Sequence, residues 1–365
     1  MRIDPYDDID EAFELNNQAG KKVIIFSDFV YVDDDNIGPW YGTLDYPCRY
    51  IQDGIEIVAE NGTVYVFNGT YYENLVIDRP VHLTGENKDN TTIDGGRVGN
   101  VIYVESDWVN ISNFTIQNSG HFDAGIAIIY SKFNNISMNI IINNNHGIHT
   151  ISSSSLTGSN DTITSNTITN NNGNGIYLYR SSSYNTITSN TITNNNGSGI
   201  YLYQTSSYNN IFNNTITSNE VGIKLYGRCR CNVIFGNTIT DNNYGIYIPL
   251  TYPNNNSIYN NKFNNTINAK DDGNNEWNIT KTLGTNIIGG PYLGGNYWHD
   301  YEGVDIDEDG LGDTELPYNC LGNITNGGDY HPLTEISCDL DYGGDIDYSD
   351  LGILLATWGF KTSRP

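Results

Sequence analysis

The chain of 365 residues carries 17 Lys and Arg against 43 Asp and Glu, a formal net charge of −26, with five Cys and two Met. That balance excludes nucleic acid as a partner, because phosphate binding draws on clustered Lys and Arg. Five scattered Cys exclude a disulfide scaffold, and no run approaches the ~20 apolar residues of a membrane-spanning helix.

In chain order, residues 1–30 form an acidic N-terminal segment. Met1 to Asp10 shows neither the basic nor the apolar run of an export signal, and residues 8–19 suit a short helix stopped by Gly20. Pro47 to Glu60 predicts an amphipathic helix, with Ile51, Ile55 and Val58 on one face and Gly62 just past its end. The strand Thr63 to Phe67 follows at once, so the helix is placed to plug the end of whatever the strands build.

What they build is set by a repeat over residues 31–297. Ile163, Asn166 and Ile168, then Gly175-Ile176-Tyr177-Leu178-Tyr179, return 24 residues later as Ile187, Asn190 and Ile192, then Gly199-Ile200-Tyr201-Leu202-Tyr203. Further copies carry Ile211, Asn214 and Gly222-Ile223, then Ile234, Asn237 and Gly245-Ile246, then Ile258 and Asn261. Apolar and polar residues alternate within each copy, and Asn, Gly and Ser separate the stretches, which is the pattern of short strands joined by tight turns. No segment holds a 3.6-residue period. A unit that returns to the same place each coil, rising ~4.8 Å, stacks like on like. The prediction is an all-β, right-handed parallel β-helix of about 24 residues per coil. Ile163, Ile187, Ile211, Ile234 and Ile258 then form an inner column, and Asn166, Asn190, Asn214, Asn237 and Asn261 an amide ladder of the cross-β kind.

Both ends carry familiar strings. Tyr31-Val-Asp-Asp-Asp-Asn36, Gly38-Pro-Trp40, Asn68-Gly-Thr-Tyr-Tyr-Glu-Asn74, Leu83-Thr-Gly-Glu-Asn87 and Gly295-Asn-Tyr-Trp-His-Asp-Tyr301 resemble NosD-like right-handed β-helix proteins over roughly residues 31–333. The resemblance implies an exported or cell-surface protein of a group described as carbohydrate-binding and sugar-hydrolase-like. It also implies copper handling, although this sequence has no Met-rich or His-rich copper site.

Residues 298–335 read as an acidic C-terminal cap. Asp305, Asp307, Asp309, Gly310 and Asp313 follow the D-x-D-x-D-G spacing of a calcium loop. Alternate carboxylates converge there because Gly permits the sharp turn, with the Leu311 carbonyl as a further ligand. Leu316 stands where a bidentate Glu is usual, which leaves Glu315 or Asp329 to complete the set. Residues 336–365 resemble one half of a dockerin: Asp339, Asp341, Asp347 and Asp350 stand at ligand positions, ahead of the apolar run Leu351 to Trp358. That resemblance implies a second, weaker Ca²⁺ site and a protein partner. The segment departs from the pattern in Gly343 at the fifth position and in having one repeat instead of two.

Candidate functional residues are sparse in the coils. Tyr177, Tyr201, Lys224 and Tyr247 form one outward row and Tyr179, Tyr203 and Tyr226 another, aromatic rows suited to sugar rings. Glu220 and Asp241 lie on adjacent coils and are the candidate carboxylates for glycoside hydrolysis, although Asp241 aligns with Ser218, not with Glu220. His121, Asp123, His146 and His149 form a second polar group, Cys229 and Cys231 supply half a zinc site, and Cys320 is positioned to pair with Cys338. The reading expected is an exported or surface β-helix, stabilised by Ca²⁺, that binds polysaccharide or cell-surface glycan or serves as an adhesin or scaffold without catalysis. A polysaccharide hydrolase or lyase and a copper-handling protein are the alternatives.

Overall fold

The computed structural model of the chain describes residues 26–152, 158–249 and 255–335. The expected helix at 8–19, the half-dockerin with Asp339, Asp341, Asp347 and Asp350, and Cys338 lie outside the described residues.

The chain winds into a right-handed parallel β-helix of about 24 residues per coil, with three parallel sheets of ten, ten and nine strands as its sides. The first sheet runs from Ser27–Val32 through Val58–Val66 and Thr186–Thr188 to Ser257–Tyr259, the second from Gly69–Tyr71 to Tyr297–Trp298, the third from Leu75–Ile77 to Ile267–Asp271. Register follows the repeat: Ile163 pairs with Ile187, Ile187 with Ile211, Ile211 with Ile234 and Ile234 with Ile258. All five are fully buried, each contributing about 1.5–3 kcal/mol of apolar burial.

The corners repeat one device. A residue with positive φ, such as Ser165, Ser189 and Asn213 at 55–58°, turns the chain and delivers the next residue, Asn166, Asn190 or Asn214, inward. The inward Asn Oδ1 accepts the backbone N–H and the side-chain N–H of the Asn one coil back, for example Asn190 to Asn214 at 3.0 Å each. Its own amide also closes on a backbone carbonyl, as Asn214 does on Ile187 at 2.9 Å. Buried polar groups need partners, and the corners supply them for the inward Asn side chains. The expected ladder is therefore one of three. A second runs through Asn144, Asn171, Asn195, Asn219, Asn242, Asn265 and Asn268. A third runs through Asn134, Asp161, Asn185, Asn209, Asn232, Asn256 and Asn275. Glycine stands at the start of the six middle strands of the third sheet, from Gly125 to Gly245, because the layers close up there. A Cβ on Gly175 would lie 2.7 Å from the Gly199 carbonyl oxygen and from Ile192.

At the N-terminal end the helix spans Ile51–Ile57, shorter than the predicted 47–60, because Val58 turns extended and starts a strand. Its N-terminus is held from the next coil, where the Glu73 carboxylate accepts the N–H groups of Ile51 and Gln52 at 2.8 and 3.0 Å. Strand Ser27–Val32 adds to the first sheet ahead of the helix. Its outer edge is satisfied by Gly42 and Cys48 backbone at 2.9 and 2.8 Å, which blocks edge-to-edge growth.

At the other end each ladder stops on a carboxylate. Asn296 donates its backbone N–H to Asp329 at 2.7 Å, Asn268 its amide to Asp300 at 2.7 Å, and Asn275 its amide to Asp271 at 2.9 Å. Two of these carboxylates also take an indole N–H, Trp298 on Asp329 and Trp277 on Asp271. Both Trp lie over Phe263, at 4.7 and 6.4 Å between ring centroids, and close the core.

Candidate functional site

Alternation along the third sheet buries Ile176, Leu178, Ile200 and Leu202 completely and turns Tyr177, Tyr179, Tyr201 and Tyr203 outward, half-buried. Pairing lines up His149, Tyr177, Tyr201, Lys224 and Tyr247 in one row, and Tyr179, Tyr203 and Tyr226 beside it. Within the rows the rings face one another along the axis. Centroids lie 4.7 Å apart for His149 and Tyr177, 5.1 Å for Tyr177 and Tyr201, and 5.5 Å for Tyr179 and Tyr203, at 10–13° between planes. A ring stacked on both faces offers its edge and hydroxyl, not a flat platform, so the interior of each row is a line of phenol groups. Burial, then the neighbouring tyrosines, raise the Tyr177 and Tyr201 pKa values well above the ordinary phenol value, which keeps the hydroxyls protonated. Tyr226 departs from the stack, tilted 59° to Tyr203, and stands exposed.

The first row breaks at Lys224. Its Nζ lies 5.1 Å from the Tyr201 ring centroid and 5.7 Å from that of Tyr247, a cation flanked by two rings. Around it Asn174, Gly197, Ser198, Tyr201, Glu220, Val221, Tyr244 and Tyr247 enclose about 260 Å³. Four residues of the sequence-predicted set, Tyr201, Glu220, Lys224 and Tyr247, are thus brought together. Asn174, Ser198 and Tyr244 join them from the corner that leads into the strand, a placement that the strand pattern alone does not reveal.

Asp241 is not part of this pocket. It occupies the positive-φ position of its corner, at 59°, in register with Ser218 at 57°, and accepts the Thr217 hydroxyl at 3.3 Å. Glu220 comes after the inward ladder residue Asn219, whereas Asp241 precedes the equivalent Asn242. The two carboxylates belong to different sides of the corner, and only Glu220 lines the pocket. Across the sheet, at the ends of the same strands, Tyr130, Ser152, Arg180, Ser181, Gln204, Thr205, Gly227 and Arg228 line a shallow groove of about 670 Å³.

Of the histidine group, His121 lies against exposed Phe122 at 4.5 Å between centroids, tilted by 40°, while His146 and His149 lie 5.8 Å apart. Burial lowers the His146 pKa, and burial with His146 nearby takes His149 down to about 4, so both rings are neutral at pH 7. His146 Nδ1 accepts the Asn174 N–H at 3.1 Å. Cys48, Cys229, Cys231 and Cys320 are free thiols.

In the acidic cap, Asp305, Asp307 and Asp313 each bring a carboxylate oxygen within 4.8 Å of the others. Asp309 is drawn away: its carboxylate is ion-paired with Lys281 and accepts the Leu311 N–H at 2.9 Å. The donor set that converges is therefore three carboxylates of the expected four.

A β-helix with closed ends and an aromatic, hydroxyl-rich face defines the class. The family described as periplasmic copper-binding protein (NosD) matches residues 43–220 and 202–303, and the chain belongs to this family. No curated protein is matched. Among solved structures, pectate lyase Pel9A is 14% identical over 69% of this chain and 72% of its own, with a TM-score of 0.53. The complex of XylC with xylose is 12% identical over 73% and 74%, TM-score 0.51. A GH87 alpha-1,3-glucanase catalytic domain in complex with tetrasaccharides is 14% identical over 73% of this chain and 49% of its own, TM-score 0.50. The chain spans 58% of a Geobacillus virus E2 protein, ORF18, at 15% identity and a TM-score of 0.48 over 67% of its own length. At these identities the likeness is one of fold.

Proposed function

We propose that this chain is an exported or cell-surface glycan-binding β-helix that does not catalyse, with the outer face of the third sheet as its binding surface. The observation that carries the reading is the pocket in which Tyr201, Tyr244, Tyr247, Lys224 and Glu220 converge. Hydroxyls, an amide, one ammonium and one carboxylate, set against aromatic edges, match the alternating polar and apolar surfaces of a sugar chain. The pectate lyase, XylC and glucanase structures support polysaccharide as the ligand class, and the family description supports export. A polysaccharide hydrolase or lyase is the second reading, favoured by Glu220 and Lys224 sharing one pocket. Glycoside hydrolysis by paired carboxylates needs a second acid, and Asp241 sits outside.

Calcium belongs to the same reading as a structural ion. Asp305, Asp307 and Asp313 supply the hard oxygen ligands Ca²⁺ takes, and binding there would tie the loop to Thr334, whose hydroxyl donates to Asp305 at 3.1 Å. The half-dockerin segment, as a docking point for a protein partner, completes the proposal. A glycan array with the purified protein tests the core of it: retention of polysaccharide, reduced in Tyr201→Ala and Lys224→Met, is expected. Retention of nothing, or release of reducing ends during the incubation, would overturn it.

A further inference from the structure

We infer that the polysaccharide this face takes is a carboxylated one, held by Arg180 and Arg228 in the groove at the strand ends; the inference rests on the glycan-binding reading above. Charge makes the first argument. The chain carries −26 overall, yet residues 161–241 hold Arg180, Lys224, Arg228 and Arg230 against Asp161, Glu220 and Asp241, and Asp161 is buried. Four cations less three anions give +1 on the coils that form the candidate site, in a protein that carries −26 overall. A surface with this slight positive excess favours the approach of an anion, in contrast to the acidic cap.

Geometry makes the second. Tyr179 pairs with Tyr203 and Tyr203 with Tyr226, so the residues that follow, Arg180, Gln204 and Gly227, occupy one corner position on three successive coils. Ser181, Thr205 and Arg228 occupy the next. Backbone bonds from Ser181 N–H to Gln204 O at 3.1 Å and from Gln204 N–H to Tyr226 O at 3.2 Å fix the stacking. Arg180, Gln204 and Thr205 have positive φ, 48–67°, which throws their side chains clear of the coil, and all three are exposed. Arg180 and Arg228 therefore stand two coils apart, about 10 Å along the axis at ~4.8 Å per coil. Between them lie the Gln204 amide and the Ser181 and Thr205 hydroxyls, the latter two bonded at 3.0 Å. Gly227 leaves the floor of the groove open.

The groove is thus a strip with guanidinium groups at both ends and neutral hydrogen-bonding groups between, running parallel to the axis. A linear polymer with a carboxylate on its sugar rings fits that order, since a guanidinium meets a carboxylate through two parallel N–H bonds. Arg180 is pre-placed for this by its own neighbour, with its guanidinium carbon 5.0 Å from the Tyr179 ring centroid, and none of the ion pairs among the described residues engages it.

Affinity electrophoresis with polygalacturonate, alginate and fully methyl-esterified polygalacturonate, in chelator, tests the inference. The methyl ester keeps the backbone and removes the charge. Retention by at least one of the two anionic polymers is expected. It should weaken steeply as salt is raised past the point where the Debye length falls below ~10 Å. Arg180→Gln and Arg228→Gln should each weaken it about three- to tenfold, without lowering the melting temperature. Equal retention of the methyl ester, or unchanged retention in the double variant, would overturn the carboxylate assignment and leave the glycan-binding reading standing. Retention of no polymer, charged or neutral, would overturn both.

Discussion

Asp161 stands in the third ladder where every other rung from 134 to 275 is Asn, and that position makes a pH-dependent prediction. It is 1% exposed. Its Oδ1 accepts the backbone and side-chain N–H of Asn134 at 2.9 and 3.1 Å, while its Oδ2 has no partner. An Asn at the matching place in another ladder, Asn166, donates from that side to the Oδ1 of Asn190 at 3.0 Å. An ionised carboxylate cannot donate, and burial raises the Asp161 pKa from 3.8 to about 8 despite the bonds from Asn134. Between those two values the folded state holds a proton that the unfolded state has released. Stability conferred through this residue is full below pH 3.8 and falls as pH rises through the window. At pH 7 the loss is 1.36 kcal/mol for each tenfold between 3.8 and 7, about 4 kcal/mol as an upper bound. Asp161→Asn supplies the donor without a proton. Melting followed by circular dichroism should show the variant level with the native protein near pH 4 and more stable by up to about 4 kcal/mol at pH 7, roughly 5–10 °C. Parallel curves across the range, or a variant less stable at pH 7, would refute the argument.

Other outcomes follow from the same structure. Asn214→Ala removes a rung that donates to Ile187 and Asn237 and accepts from Asn190; stranding those buried groups should cost about 3 kcal/mol or more, read by denaturant unfolding. Trp298→Ala opens the C-terminal end over Phe263 and should cost about 3–5 kcal/mol and promote end-to-end association, read by melting and light scattering. Chelation with EGTA should lower the melting temperature, and Asp305→Asn with Asp313→Asn should abolish that response; an unchanged melt would sink the calcium site.

The fold was legible because a 24-residue period with inward Ile and corner Asn has few other solutions. Two of the three amide ladders were not, and the reason is local. In Asn170-Asn171-Asn172 the letters are identical, and only the positive φ of Asn170, at 53°, decides that Asn171 points inward to Asn195. The ladder terminators were hidden by distance, since Asp329 meets Asn296 across 33 residues and no period links them. The rows of Tyr177, Tyr201 and Tyr179, Tyr203 could be read, but not the plane of their rings: strand spacing forces stacking, which removes the flat faces that a row of exposed aromatics suggests. The sequence offset between Glu220 and Asp241 reappears as different corner positions, Glu220 after the inward Asn219 and Asp241 before the inward Asn242. The ion pair of Asp309 with Lys281, 28 residues upstream, is invisible in the D-x-D-x-D-G spacing.

The central claim is that the outer face of the third sheet is the binding surface. The most direct measurement is a crystal structure of the protein soaked with an oligosaccharide cut from whichever polymer it retains. The account predicts sugar density on that face, between the Glu220 and Lys224 pocket and the Arg180 groove, with hydrogen bonds to the hydroxyls of Tyr201 or Tyr244. Density confined to the first or second sheet, or to the acidic cap, would contradict it.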